Sequence, residues 1–308
     1  REFRYKASPS EVASWRNSLT SMANVMRYGS LHDHGVVVEW QLPLSSRRLD
    51  VMISGHDFAS RPNAVIVELK QWQQTEPCLA DECVLTYVGG RKREMLHPSA
   101  QVGGYRRYLK DVHEVFSNGD VDLHACSFLH NKDYDPEDEV FSERQLDLPS
   151  MYPVFTGDQT DALAHHMADR LGDGGGVSLL DRILAGRYQP SKKLLAHTAE
   201  MIQGEPSYVL LDEQRVVFNS IVARVAERKS QATKSVFVIK GGPGTGKSVI
   251  ALNLVAELSK AGYNTHHATG SRAFTENVSK IVGRRASAQF KYFNSYLNTE
   301  SGSVDVLI

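Results

Sequence analysis

The chain has 308 residues, 41% hydrophobic and 23% charged, an ordinary globular composition with room for two cores at roughly 100 to 200 residues per domain. A formal net charge of -1 excludes nucleic-acid binding through a bulk basic excess, so any such contact must be local, and no apolar run approaches the ~18 residues of a membrane span. Cys78, Cys83 and Cys126 form neither an even framework nor a C-x-x-C pair, and residues 1–10 lack an apolar signal stretch, so structural thiols, a cytoplasmic location and no membrane partner are expected.

Residues 10–29, SEVASWRNSLTSMANVMRYG, repeat apolar side chains at helical spacing and end in glycine, which predicts an amphipathic helix. VVVEWQL (36–42), LDVMIS (49–54) and AVIVELK (64–70) predict a three-stranded meander, residues 97–116 a second helix and LHACSFL (123–129) a further strand. Residues 1–155 thus read as one α/β domain. Residues 156–206 read as a helical connector of short patches broken by GDGGG (172–176), QPSKK (189–193) and QGEPS (203–207). In residues 207–308, KSVFVIK (234–240) predicts a strand, GGPGTGKS (241–248) a loop, residues 249–262 a helix and NTHHATG (264–270) a strand, the opening of a parallel βαβ layout. The basic runs RKR (91–93), RRYLK (106–110), SKK (191–193) and GRR (283–285) read as solvated faces, His32-Asp33-His34 as a turn, and Trp15, Trp40 and Trp72 as core aromatics.

Gly241-Gly242-Pro243-Gly244-Thr245-Gly246-Lys247-Ser248 matches G-x-x-x-x-G-K-[ST] between a predicted strand and a predicted helix. Glycines let the backbone wrap a phosphate, the helix N-terminus adds positive potential, Lys247 suits the β- and γ-phosphates, and Ser248 can ligate Mg²⁺, so ATP with Mg²⁺ is the expected ligand. Hydrolysis also needs an acidic metal residue on a later strand. The sequence reaches only SVDVLI (303–308), in which Asp305 falls too early, so the ATPase half is expected to be truncated before that motif.

On a strand over 64–70, Val65, Val67 and Leu69 share one face, and Ile66, Glu68 and Lys70 the other. If the three strands form a meander, Glu39, Asp50 and Glu68 converge near one end beside Lys70. Two unit charges about 4 Å apart repel by roughly 4 kcal/mol at an effective dielectric near 20, so such a cluster should bind a cation or hold protons above the usual range. Mg²⁺ or Mn²⁺ on these carboxylates, with Lys70 stabilising developing charge, is phosphodiester hydrolysis chemistry.

The ordered set Glu39, Asp50, Glu68-Leu69-Lys70 and Gln101-Val102-Gly103-Gly104-Tyr105 resembles the PD-(D/E)XK nuclease superfamily, its Q-x-x-x-Y helix being similar to that of the RecB-like branch. Leu49 stands where the superfamily's name places proline. The resemblance implies a restriction-endonuclease-like mixed-sheet nuclease domain in which Asp50, Glu68 and the Leu69 carbonyl hold metal, Lys70 is catalytic, and Gln101 and Tyr105 support the site or touch DNA. Downstream, LLDEQ (210–214) and TGSRAFTEN (269–277) resemble a superfamily-one helicase, with Gln214 in the place of an adenine-reading glutamine. The whole resembles bacterial nuclease-helicase fusions with a schlafen-like ATPase part, which implies the first part of a RecA-like P-loop domain at 207–308 and a place in anti-phage defence. Single-stranded or unwound DNA is the implied substrate, with an oligomer or an accessory defence protein as a further partner. Two rival readings are a non-cleaving nucleic-acid-binding module regulated by ATP and an RNA-directed nuclease.

Overall fold

A computed structural model describes residues 9–42, 47–188, 210–228, 234–297, 299–300 and 302–308, with side chains except at 9–14, 281 and 283–285. The architecture is α/β, and it divides into two compact units, Arg1–Pro77 with Val84–Gln189 and Cys78–Cys83 with Pro190–Ile308.

The first unit is built on a five-stranded mixed sheet of order β1-β2-β3-β7-β8, from β1 (Gly35–Gln41), β2 (Arg48–His56), β3 (Pro62–Lys70), β7 (Asp122–Leu129) and β8 (Val154–Thr156). β1, β2 and β3 pair antiparallel as the meander predicts, whereas β3 with β7 and β7 with β8 are parallel. A parallel neighbour requires a crossover. Between β3 and β7 it contains α2 (Pro98–Val112), which lies against both strands.

Alternation along β3 works as read from the sequence. Val65, Val67 and Leu69 join Val51, Ile53, Cys126 and Phe128 in a core covered by Met22 and Val25 of α1 (Pro9–Tyr28) and by Leu163, Met167 and Leu171 of α5 (Thr160–Leu171). Each such side chain taken fully from water contributes about 1.5–3 kcal/mol, which makes this face the main stabilising layer. α2 covers the other face and ends at His113, which caps it and opens the short α3 (Glu114–Ser117), so the single helix expected over 97–116 is broken there. α4 (Asp147–Met151) precedes β8.

Two features differ from the sequence reading of this half. The stretch expected as a connector contributes α5 and α6 (Gly176–Ala185) to the first unit, and the rest of it, 189–206, lies outside the described residues. α6 packs on β1 and β2, and Gly176 is required at its start: a Cβ there would come within 1.9 Å of the Ser54 carbonyl oxygen. A second small sheet, β4 (Thr75–Glu76), β5 (Cys83–Val88) and β6 (Arg91–Leu96), was not anticipated, because its alternation is short and interrupted by charge.

In the second unit, β9 (Thr265–Thr269) is central and pairs in parallel with β10 (Phe290–Tyr292) and β11 (Val306–Leu307). α7 (Glu213–Arg228) and α8 (Lys247–Lys260) pack together through Ile221, Ile250, Leu254 and Leu258. α9 (Arg272–Ser287) adds Val278 and Val282 against Leu252 and Val255. The strand expected over 234–240 does not form: Val236 and Val238 are 88% and 75% exposed, and only Ile239 joins a core. In the second sheet β9 is paired on both sides, and residues 234–240 join neither outer strand.

Candidate active site and phosphate loop

β2 and β3 pair with Val51 opposite Val67, and continuing that register by one pair sets Asp50 opposite Glu68. The Asp50 side chain reaches β3, where Oδ2 accepts a hydrogen bond from the Leu69 backbone N–H at 2.8 Å. Glu68 is 3% exposed. A carboxylate so buried costs several kcal/mol unless a cation pairs with it. Lys70 supplies the cation, donating from Nζ to Glu68 Oε1 at 2.8 Å.

Lys70 Nζ donates a second hydrogen bond, also 2.8 Å, to Gln101 Oε1, and stands 5.2 Å from the centre of the Trp72 ring. The Gln101 amide donates to the Tyr105 hydroxyl at 2.9 Å, as side chains one turn apart on α2 can. Two contacts fix that helix. His97 Nδ1 accepts from the Ser99 N–H at its N-cap, and Gly103 admits the Tyr152 ring, which a Cβ would meet at 2.4 Å. The result is a bonded series Glu68–Lys70–Gln101–Tyr105 running from sheet to helix.

Glu39 departs from the expected set. It would face Asp50 by register, but its φ of +50° interrupts the ladder between Val38↔Val51 and Trp40↔Leu49, and its Oε2 lies 3.4 Å from Arg48. Burial holds its carboxyl above the usual range, and the Asp50 charge adds to this, against the opposing effect of Arg48. Asp50 is thus close enough to be felt. Among the described residues, no group of three or more His, Cys, Asp and Glu side chains is arranged to hold a metal, so a ready three-carboxylate cage of Glu39, Asp50 and Glu68 is not present. Glu39 stands at the kink with Arg48 3.4 Å away.

In the second unit, residues 241–248 lead into α8, whose N-cap is Gly246 at φ +84°, with Gly244 at φ +75°. Gly241, Gly242, Pro243, Gly244, Thr245, Lys247 and Ser248 are all exposed. Lys247 Nζ donates to the carbonyl oxygens of Gly241 and Gly242 at 2.8 and 2.6 Å, so the lysine folds over its own loop. Gln214, expected to read adenine, lies against that loop: Nε2 donates to the Thr245 carbonyl at 3.0 Å, and Oε1 accepts from the Leu211 N–H at 3.3 Å. Asp305 accepts from the Asn264 backbone N–H at 2.7 Å and its own N–H donates to the Asn264 carbonyl at 3.0 Å, which joins the starts of β9 and β11.

Trp72 packs in a core cluster, as its reading as a core aromatic expects, and its ring also stands beside Lys70. The signal was the alternation itself, since Glu68, Lys70 and Trp72 are spaced two apart. Gln71, on the opposite side, donates to Ser18 Oγ at 3.1 Å, and Ser18 lies 2.9 Å from His130 Nε2, a series of contacts that spacing along the chain does not reveal. The three cysteines are free, and burial pushes the Cys126 thiol up to about 12, which leaves it unreactive. No helix among the described residues is long and apolar enough to cross a membrane.

Residues 234–308 match a family model described as Schlafen group 3, DNA/RNA helicase domain. The matched segment contains the phosphate loop, supports the schlafen-like helicase part of the resemblance and points to a nucleic-acid-related function. No curated protein matches the chain, and no solved structure matches it.

Proposed function

We propose that the first unit is a metal-dependent nuclease of the PD-(D/E)XK type and that the second unit is a nucleotide-binding part of a helicase motor. The observation that carries the nuclease reading is the Lys70 ammonium held at 2.8 Å by both Glu68 and Gln101, beside Asp50 from the neighbouring strand. A structural ion pair needs only its partner. Here a third element, α2, orients the lysine through Gln101 and Tyr105, as a group used for chemistry would be oriented. The left-handed Glu39 at the same end of the sheet is a strained residue of the kind that collects at functional sites.

The donor set fits a small divalent cation. Mg²⁺ takes one or two carboxylates and otherwise keeps water, so Asp50, Glu68 and the Leu69 carbonyl suffice without Glu39. When bound, such a cation supplies an activated water and draws charge from the phosphate. The chain's own contribution is to hold the carboxylates on adjacent strands and to aim Lys70 at the negative charge that grows on the phosphate oxygens.

In the second unit, Lys247, which now bonds the Gly241 and Gly242 carbonyls, would hold the phosphates of ATP, and Ser248 would hold its Mg²⁺. DNA, single-stranded or unwound, is the substrate of first choice. The matched description, which includes both DNA and RNA, keeps an RNA substrate as the second reading. The test is to incubate the chain with plasmid, single-stranded DNA and RNA in Mg²⁺ or Mn²⁺, beside Lys70→Ala and Glu68→Gln. Cleavage by the parent chain and loss in both variants is expected. Intact nucleic acid in every lane overturns the nuclease and leaves a binding module.

A further inference from the structure

The basic run at residues 91–93, which the sequence alone offers as a solvated face, occupies a particular place in the fold. β5 and β6 are joined by only Gly89 and Gly90, at φ +61° and +77°. Two left-handed central residues make the hairpin turn whose twist matches that of its strands. This turn sets Tyr87 opposite Lys92, and Lys92 Nζ lies 5.6 Å from the Tyr87 ring centre. Arg91, Lys92 and Arg93 are all exposed, and Tyr87 is 63% exposed. Glu76 takes Lys92 at 2.6 Å, while Arg91 and Arg93 make no ion pair among the described residues.

The other end of the hairpin is anchored. Val84 and Met95 pack with Trp72, Leu129 and Val140. Thr75 donates from N and Oγ1 to the buried Asp138, which also takes Lys132. Trp72 is the ring beside Lys70, so the hairpin and the candidate catalytic lysine share one support. From Val84 to the turn is four residues, about 13 Å of rigid strand.

We propose that the β5–β6 hairpin is a nucleic-acid-holding arm of the first unit: Arg91 and Arg93 take backbone phosphates of an unpaired strand, and Tyr87 stacks on a base. The proposal rests on the nuclease reading, because the strand it holds is the one presented to Lys70. Alternation along β6 turns Arg91 and Arg93 to the face opposite the one Lys92 shares with Tyr87, so a flexible single strand crossing the tip of this ridge meets two guanidinium groups on one side and an aromatic ring on the other. Every phosphate of such a strand is anionic and every base has a stacking face. A membrane would call for a broad apolar face, and the ridge ends in Gly89 and Gly90.

The test measures binding of a fluorescent 20-nucleotide single-stranded DNA and its RNA counterpart to the full chain by anisotropy. EDTA is present so that nothing is cut, and salt runs from 50 to 300 mM. Arg91→Ala/Arg93→Ala should reduce the slope of log affinity against log salt by about 1.4, at ~0.7 per phosphate contact on a single strand. Arg91→Lys/Arg93→Lys should keep the slope, and Tyr87→Ala should weaken binding about tenfold where Tyr87→Phe does not. The proposal is overturned by no binding in the parent chain, by an unchanged slope in the alanine pair, by equal loss in the lysine pair, or by preference for phosphatidylserine vesicles over the oligonucleotide. Cleavage in Mn²⁺ is scored separately. A chain that cuts but ignores the arginines loses only the arm, and a chain that binds through them without cutting loses only the nuclease.

Discussion

The two candidate sites handle a lysine in opposite ways. Lys70 is enclosed, with its side chain 13% exposed and bonded to two side chains from different elements, whereas Lys247 lies exposed and bonds only to carbonyls of its own loop. The first arrangement is prepared in advance and depends on the whole unit. The second is local, held by bonds from Lys247 to carbonyls of its own loop. A preorganised ammonium costs little reorganisation at the moment of reaction, which suits catalysis, while an exposed lysine over a glycine loop suits capture of a mobile polyphosphate.

The largest expected effect breaks the first site. Lys70→Ala should lower the rate of metal-dependent cleavage by about 10²–10³-fold, the scale for losing one preorganised donor, as measured on a labelled oligonucleotide. If the rate stays within a factor of two, the enclosed lysine is structural only. The same variant strands a buried carboxylate and should cost the first unit about 3–5 kcal/mol in urea unfolding, whereas Lys247→Ala, being exposed, should change stability by under about 0.5 kcal/mol. Equal shifts in the two variants would erase the contrast. For the second site, ATP with Mg²⁺ should raise the melting temperature of the parent chain, and Lys247→Ala should remove that rise.

Smaller effects sharpen the picture. Tyr105→Phe deletes one hydroxyl behind Gln101 and should cost about 1 kcal/mol, read as a several-fold fall in cleavage with little change in melting. A pH series separates the layers further. Burial, with help from the Arg170 and His124 charges, lowers His166 to about 4 from an ordinary 6.5. The folded state therefore resists protonation, so this contribution to stability is complete above pH 6.5, is lost as pH falls towards 4, and levels off below. His166→Phe should flatten the stability of the first unit over that window; an unchanged slope would show that other groups set it.

The candidate phosphate loop was legible as a motif because it is contained in eight consecutive residues, and the helix expected after it is present whereas the strand expected before it is not. The β-meander and the face assignment of Glu68 and Lys70 were legible for a similar reason, since period-two alternation survives in any half-buried strand. The strand expected at 234–240 shows the limit of that rule: Val236 and Val238 stay exposed, and an apolar run that does not bury a face gains nothing from the strand conformation. The hairpin at 83–96 shows the converse, since a Gly-Gly turn and a shared core with Trp72 secured a short and heavily charged segment.

Sequence alone determined the residue types at the two candidate sites, their order along the chain and the faces on which neighbours within one strand lie. Tertiary structure alone decided that Asp50 bonds the Leu69 N–H, that Gln101 receives Lys70 and that Glu39 meets Arg48. Alternation and helical period are properties of a few consecutive residues, but hydrogen bonds between distant segments depend on register and crossover. Those are set by how whole faces bury their apolar surface, which no short stretch of the chain encodes.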